Sequence, residues 1–150
     1  MFPNTLPTDA SQERIRAFVR NQDVRWRRQP LVSYAAARGP MQYGFTIELH
    51  AAHVRPKHAP RPGCDECQEL YDGLAELARA VIPPVLKDTL FEVYPFRGEL
   101  VFAPSRGGRE EVVLDIDVVH RTGVGPVDEC ELACLARLKA RLADLGARRL

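Results

Sequence analysis

The sequence has little of what would assign a protein to a class at once. No apolar run approaches the roughly twenty residues that a membrane-spanning helix needs, so we expect no membrane span. Residues 1–5 show no basic segment leading into an apolar one, so we expect no secretory signal. Four cysteines are too few for a disulfide scaffold in a chain of 150 residues. These absences predict a soluble cytoplasmic protein with reduced thiols.

The motifs of common enzymes are also missing. There is no GxxxxGK phosphate loop and no GxSxG nucleophile elbow, and residues 105–108 indicate only a flexible connection. A nucleophile pair of Cys64 with His53 or His58 has acidic residues beside the thiol and no evident oxyanion element. We therefore predict a small binding or assembly module of unknown role, without demonstrable catalytic machinery.

The charge of the chain is close to balanced but unevenly spread. Residues 1–61 carry ten basic and four acidic side chains, and the remainder carries eleven and sixteen. One interpretation is that the arginines in residues 14–28 bind nucleic acid or an acidic partner. The other is that the two parts attract each other, within a subunit or across a dimer. The length fits one globular domain over residues 1–150, with residues 1–8 as a loose lead-in.

Apolar periodicity and helix-stop signals predict the elements of this domain. In chain order they are an arginine-rich helix over 9–28 stopped by Pro30, a strand over 43–51, a helix over 65–82 stopped by Pro83 and Pro84, a hairpin of strands 90–96 and 99–103, a strand over 110–121, and a helix from 128 through 145 with Arg148 and Arg149 near its end. The order α-β-α-β-β-β-α predicts an α+β two-layer sandwich, with a mixed four-stranded sheet and helices mainly on one face.

The strands at 43–51 and 110–121 alternate apolar with polar residues, which predicts one face against the helices and one face away from them. If the two strands pair, the second face carries Glu48, His50, Asp115 and Asp117. This exposed surface could hold a divalent cation in an enzyme, or simply be the solvated side of the sheet. Because valines lie among the polar residues, it could also be covered by a second copy of the chain. We favour the last interpretation and predict a homodimer.

The turn between the first predicted strand and the second predicted helix is rich in metal-ligand residue types. Imidazole and thiolate are the ligands that Zn²⁺ prefers, and the candidate ligands are His53, His58, Cys64 and Cys67. Their spacing matches no zinc-finger pattern, and a structural site is a better match than a catalytic one. Cys67 also lies on the apolar stripe of the helix, which favours a buried thiol instead. A redox pair is a third interpretation, opposed by the negative charges of Asp65 and Glu66.

The last predicted helix carries Cys130 and Cys134 on one side, four residues apart. A disulfide across one helical turn has poor geometry, so we expect two buried thiols. A zinc site that joins them to Cys64 and Cys67 requires the starts of two helices to meet, and nothing in the sequence places them together.

Overall fold

A computed structural model of the chain describes residues 9–31, 43–52, 65–94, 103–104, 111–121 and 128–150. Within these ranges we number the elements in chain order. They are α1 (Asp9–Asn21), β1 (Arg25–Pro30), β2 (Gly44–Ala52), α2 (Asp65–Leu86), β3 (Phe91–Val93), β4 (Ala103–Pro104), β5 (Glu111–His120), α3 (Asp128–Asp144) and β6 (Arg148–Arg149).

The strands form one mixed sheet in the order β3-β5-β2-β1-β6, with β4 also paired to β5. The β1–β6 pair is parallel, and the other pairs are antiparallel. The predicted α+β class and mixed sheet are therefore confirmed. The sheet has six strands rather than the predicted four. The two strands that were not predicted are β1 and β6.

The arginine-rich helix is shorter than predicted. It ends at Asn21, the chain turns at Asp23 with a φ of 48°, and residues 25–30 continue as β1 alongside β2. Val24 and Trp26 are buried, while the arginines beside them alternate to the other face. This two-residue period is typical of a strand. Pro30 ends that strand rather than a helix, a position that its missing N–H permits.

The second helix is longer than predicted, because Pro83 and Pro84 lie inside its last turn and the helix ends at Leu86. Both prolines lack the N–H that would bond to the preceding turn. Helical bonding nevertheless continues beyond them, since the Lys87 amide donates to the Pro83 carbonyl at 3.1 Å. The burial of Val85 and Leu86 anchors this last turn on the core.

The third helix ends at Asp144, and Gly146 follows with a φ of 95°, a conformation that favours glycine. The chain then forms β6. The Arg148 amide donates to the Val24 carbonyl and the Leu150 amide to the Trp26 carbonyl. The prediction that Arg148 and Arg149 complete the last helix is therefore wrong.

The predicted hairpin of residues 90–96 and 99–103 falls largely outside the described residues. In the parts that are described, β3 pairs with residues 118–120 of β5 and β4 pairs with residues 114–115. Since β2 fills the opposite edge of β5 along residues 111–119, β3 and β4 share one edge of β5. Both are antiparallel to β5 and therefore run in the same direction, so the described parts do not form the predicted hairpin.

All three helices contribute to one hydrophobic core on a single face of the sheet. The sheet supplies the side chains of Trp26, Phe45, Ile47, Leu49, Ala51, Phe91, Val112, Leu114, Ile116 and Val118 to this core. Phe45 and Phe91 form a tilted ring pair with centroids 5.5 Å apart. α1 packs closely on α2 at Gly73, where a Cβ atom would come within 2.2 Å of the Phe18 ring.

Candidate functional site

The candidate site is the other side of the sheet, where the polar residues of three strands meet. The register places Arg27 opposite Glu48 and Glu48 opposite Asp115, and directly opposed residues share a face. The prediction that β2 and β5 pair and turn their acidic and histidine side chains to the same side is confirmed. We call this surface the polar face, and its members are Arg25, Arg27, Gln29, Thr46, Glu48, His50, Glu111, Asp115 and Asp117.

The polar face is not the exposed surface that the sequence suggested. Glu48 and His50 are only 7% and 8% exposed, Thr46 and Asp117 are buried, and Asp115 is half-buried. The valines of the same face, Val113 and Val119, are also buried. The valines that were expected to need a second copy are therefore already covered within one chain.

His50 is the centre of a buried hydrogen-bond network. Its Nε2 contacts Glu48 Oε1, and its Nδ1 lies 3.2 Å from Glu111 Oε2. A neutral imidazole has one N–H, whereas an imidazolium has two. Each ring nitrogen faces a carboxylate oxygen, and which of the two donates depends on the tautomer.

Two arginines and a glutamine complete the network. The Arg27 Nε donates to Glu48 Oε1 at 2.9 Å, and the Gln29 side-chain Nε2 donates to Glu48 Oε2. The Arg25 guanidinium donates to Glu111. Each carboxylate thus has an arginine partner as well as His50, which compensates part of the free-energy cost of removing these charges from water. On the same face, the Thr46 hydroxyl donates to Asp117 Oδ1 at 2.6 Å.

This arrangement argues against the divalent-cation hypothesis for Glu48, His50, Asp115 and Asp117. The Arg25 and Arg27 guanidinium groups contact Glu111 and Glu48, and Coulomb repulsion opposes the entry of a cation beside them. Within the described ranges, no group of three or more His, Cys, Asp or Glu side chains is arranged to hold a metal ion. The network is built for internal charge compensation.

The zinc hypothesis falls mostly outside the described residues, because His53, His58 and Cys64 are not among them. Cys67 is described, and its side chain is 1% exposed within the hydrophobic core. That position fits the alternative of a buried thiol. Elemental analysis of the purified protein tests the zinc prediction directly.

The two cysteines of α3 differ in their surroundings. Cys134 is buried in the core, as predicted, but Cys130 is exposed, so the prediction of two buried thiols is half wrong. Burial raises the pKa of the Cys134 thiol, and a hydrogen bond with Thr89 opposes this in part. On α2, burial raises the pKa of the Tyr71 hydroxyl, with a smaller contribution from nearby Cys67.

The basic N-terminal part pairs with the acidic remainder inside this chain. Ion pairs that join the two parts are Arg14–Glu76, Arg16–Asp144, Arg25–Glu111 and Arg28–Glu131. The interpretation that the charge asymmetry reflects attraction within a subunit is thereby supported. Binding of nucleic acid by the arginines in residues 14–28 stays a prediction.

The sequence pattern did not predict four members of the polar face, which are Arg25, Arg27, Gln29 and Glu111. It assigned residues 25–28 to a helix, so their arginines were expected on a helix surface rather than beside Glu48. The signal that could have found them is the two-residue alternation around Trp26 that ends at Pro30.

A shallow pocket lies elsewhere, between the end of α1 and the start of α2. It has a cavity volume of about 130 Å³ and is lined by Phe18, Gln22, Glu66, Glu69 and Leu70. The Gln22 side-chain oxygen has no hydrogen-bond partner there.

No family model matches this sequence, and neither the curated proteins nor the solved structures contain a significant match to the chain. Among the described helices, none combines the length and the apolar character required to cross a membrane.

Proposed function

We propose that the protein is a small assembly module that acts as a homodimer. The observation that carries the proposal is the outward side of α3. Leu132 is 67% exposed there, and it shares this side with four exposed alanines and with the charged Glu129 and Lys139. The alanines are Ala133, Ala136, Ala140 and Ala143. Contiguous apolar surface on a soluble protein commonly marks an interaction site.

The charge network of the polar face supports the same proposal from the other side of the molecule. Its carboxylates already have arginine and histidine partners from the same chain. The network therefore fixes the positions of β1, β2 and β5 and gives the sheet a defined framework. α3 is held on this framework by the Arg28–Glu131 ion pair and by its buried leucines, so its outer side is presented by a well-supported helix.

Sedimentation velocity of the purified chain over a concentration series tests the proposal. We expect a sedimentation coefficient that rises with concentration from the monomer value to the dimer value. A symmetric two-copy assembly is the commonest closed form of self-association. A chain that stays monomeric throughout the series refutes the homodimer.

A further inference from the structure

The outer side of α3 has a definite geometry. At 3.6 residues per turn, Leu132, Ala136 and Ala143 point in nearly the same direction, away from the buried Cys134 and Leu138. The helix has 17 residues, which corresponds to a length of about 25 Å. Small side chains along this length permit a second helix to approach at the short end of the usual 8–10 Å range between helix axes.

The charges on this side have a pattern that selects the partner. Glu129 and Lys139 are exposed, and neither forms an ion pair or hydrogen bond within the described part of the chain. The other charged side chains described on α3 do have partners: Glu131 pairs with Arg28, Arg141 pairs with Asp144, and Arg137 donates to the Val85 carbonyl. The two charges left over have opposite signs and lie near opposite ends of the outer side.

Two copies of α3 in an antiparallel arrangement bring these opposite charges together. When the two-fold axis passes near position 134, Glu129 of each copy lies opposite Lys139 of the other, and Leu132 lies opposite Ala136. The helix dipoles are then also antiparallel, which is favourable. A parallel arrangement would place Glu129 against Glu129 and Lys139 against Lys139, which is unfavourable. The surface is thus complementary to itself in one orientation.

We propose that the homodimer forms through antiparallel contact of the two α3 helices, with a reciprocal Glu129–Lys139 ion pair on each side of a Leu132–Ala136 contact. This inference rests on the homodimer proposed above and adds its interface. One helix from each copy buries less than the roughly 800 Å² per partner of a standard interface. We therefore expect a dimer with a dissociation constant on the order of micromolar, weaker at high salt.

The test is a charge-reversal series measured by sedimentation equilibrium on the full chain. E129K and K139E each replace two attractive contacts by two repulsive ones, because the contact occurs twice in a symmetric dimer. We expect each to raise the dissociation constant about tenfold or more. The double variant E129K/K139E restores opposite charges, and we expect it to return to within about threefold of the wild-type value. K87E reverses a lysine elsewhere on the surface and serves as the matched control, with no change expected.

A136R is a second variant that acts through size rather than through a charge pair, and we expect it to abolish the dimer over the accessible concentration range. Circular dichroism and thermal melts of all variants establish that they fold. Two results with a dimeric wild type would refute the α3 interface and leave the homodimer intact. One is that the single charge reversals and A136R dimerise with the wild-type dissociation constant. The other is that the double variant dimerises as weakly as the single reversals. If the wild type is monomeric, the homodimer itself fails and the outer side of α3 is left for a different protein.

Discussion

Replacement of Glu48 tests the charge network of the polar face most directly. This carboxylate accepts hydrogen bonds from Arg27, Gln29 and His50. Glu48→Ala removes the acceptor for all three donors and leaves two of them in a poorly solvated position. A buried charge pair that loses one member typically costs about 3–5 kcal/mol. We expect a decrease of this size in the free energy of unfolding, which is a large share of the total for a domain of this length.

The exposed fractions of His50 and Arg27 predict how the loss in the free energy of unfolding divides between their contacts with Glu48. The Glu48 and His50 side chains are both 10% exposed, whereas Arg27 is 51% exposed and can regain water. A double-mutant cycle should therefore give a coupling of about 2 kcal/mol for Glu48 with His50 and below about 1 kcal/mol for Glu48 with Arg27. Glu48→Gln keeps the shape, but it removes the charge and replaces one acceptor oxygen by an NH2 donor, so a cost of about 1–3 kcal/mol is expected.

Urea unfolding of the full chain, followed by circular dichroism, measures these values, with K87E as a surface control expected within about 0.5 kcal/mol of the wild type. A wild-type unfolding midpoint for Glu48→Ala, or a coupling with Arg27 that exceeds the coupling with His50, would contradict this prediction. Either result would mean that burial does not set the strength of these contacts.

Two further predictions follow from the packing. Gly44→Ala would place a Cβ atom 2.0 Å from the Val118 carbonyl oxygen in the backbone of β5, so we expect its free energy of unfolding to fall by about 3 kcal/mol or more. The Cβ atom of Gly146→Ala meets only ordinary contacts, and we expect a fall of about 1 kcal/mol. Equal melting temperatures for the two variants would contradict this prediction. Cys130 is exposed, whereas burial raises the pKa of the Cys134 thiol. Iodoacetamide should therefore modify Cys130 first, which tandem mass spectrometry of the tryptic peptide 122–137 measures. Modification of Cys134 first would contradict its burial.

The long alternating strands could be predicted because their pattern has one interpretation. Phe45, Ile47 and Leu49 occur at every second position, and the corresponding residues of β5 do the same. A one-residue shift in pairing would turn all of them away from the helices. The common face of Glu48 and Asp115 was therefore implicit in the sequence, whereas their direct pairing was not, because a two-residue shift keeps the same faces.

The short strands could not be predicted in the same way. β1 contains four charged or amide side chains among six residues, and its arginines resemble those of an amphipathic helix until their partners are known. β6 has two residues, both arginine, and it exists because β1 offers a free edge. The burial of the polar face likewise depends on contacts between distant segments, which a local pattern does not contain.

The pairing of β6 with β1 has a consequence for the way the sheet assembles. It joins residues that lie almost the whole chain apart, and closing so long a loop lowers the chain entropy. This entropy loss opposes the pairing until the rest of the sheet has formed. Only two positions pair there, so little is gained in return. We expect this edge to form last in folding and to open first in the native protein, and its amide protons to exchange with solvent faster than those of the central strands.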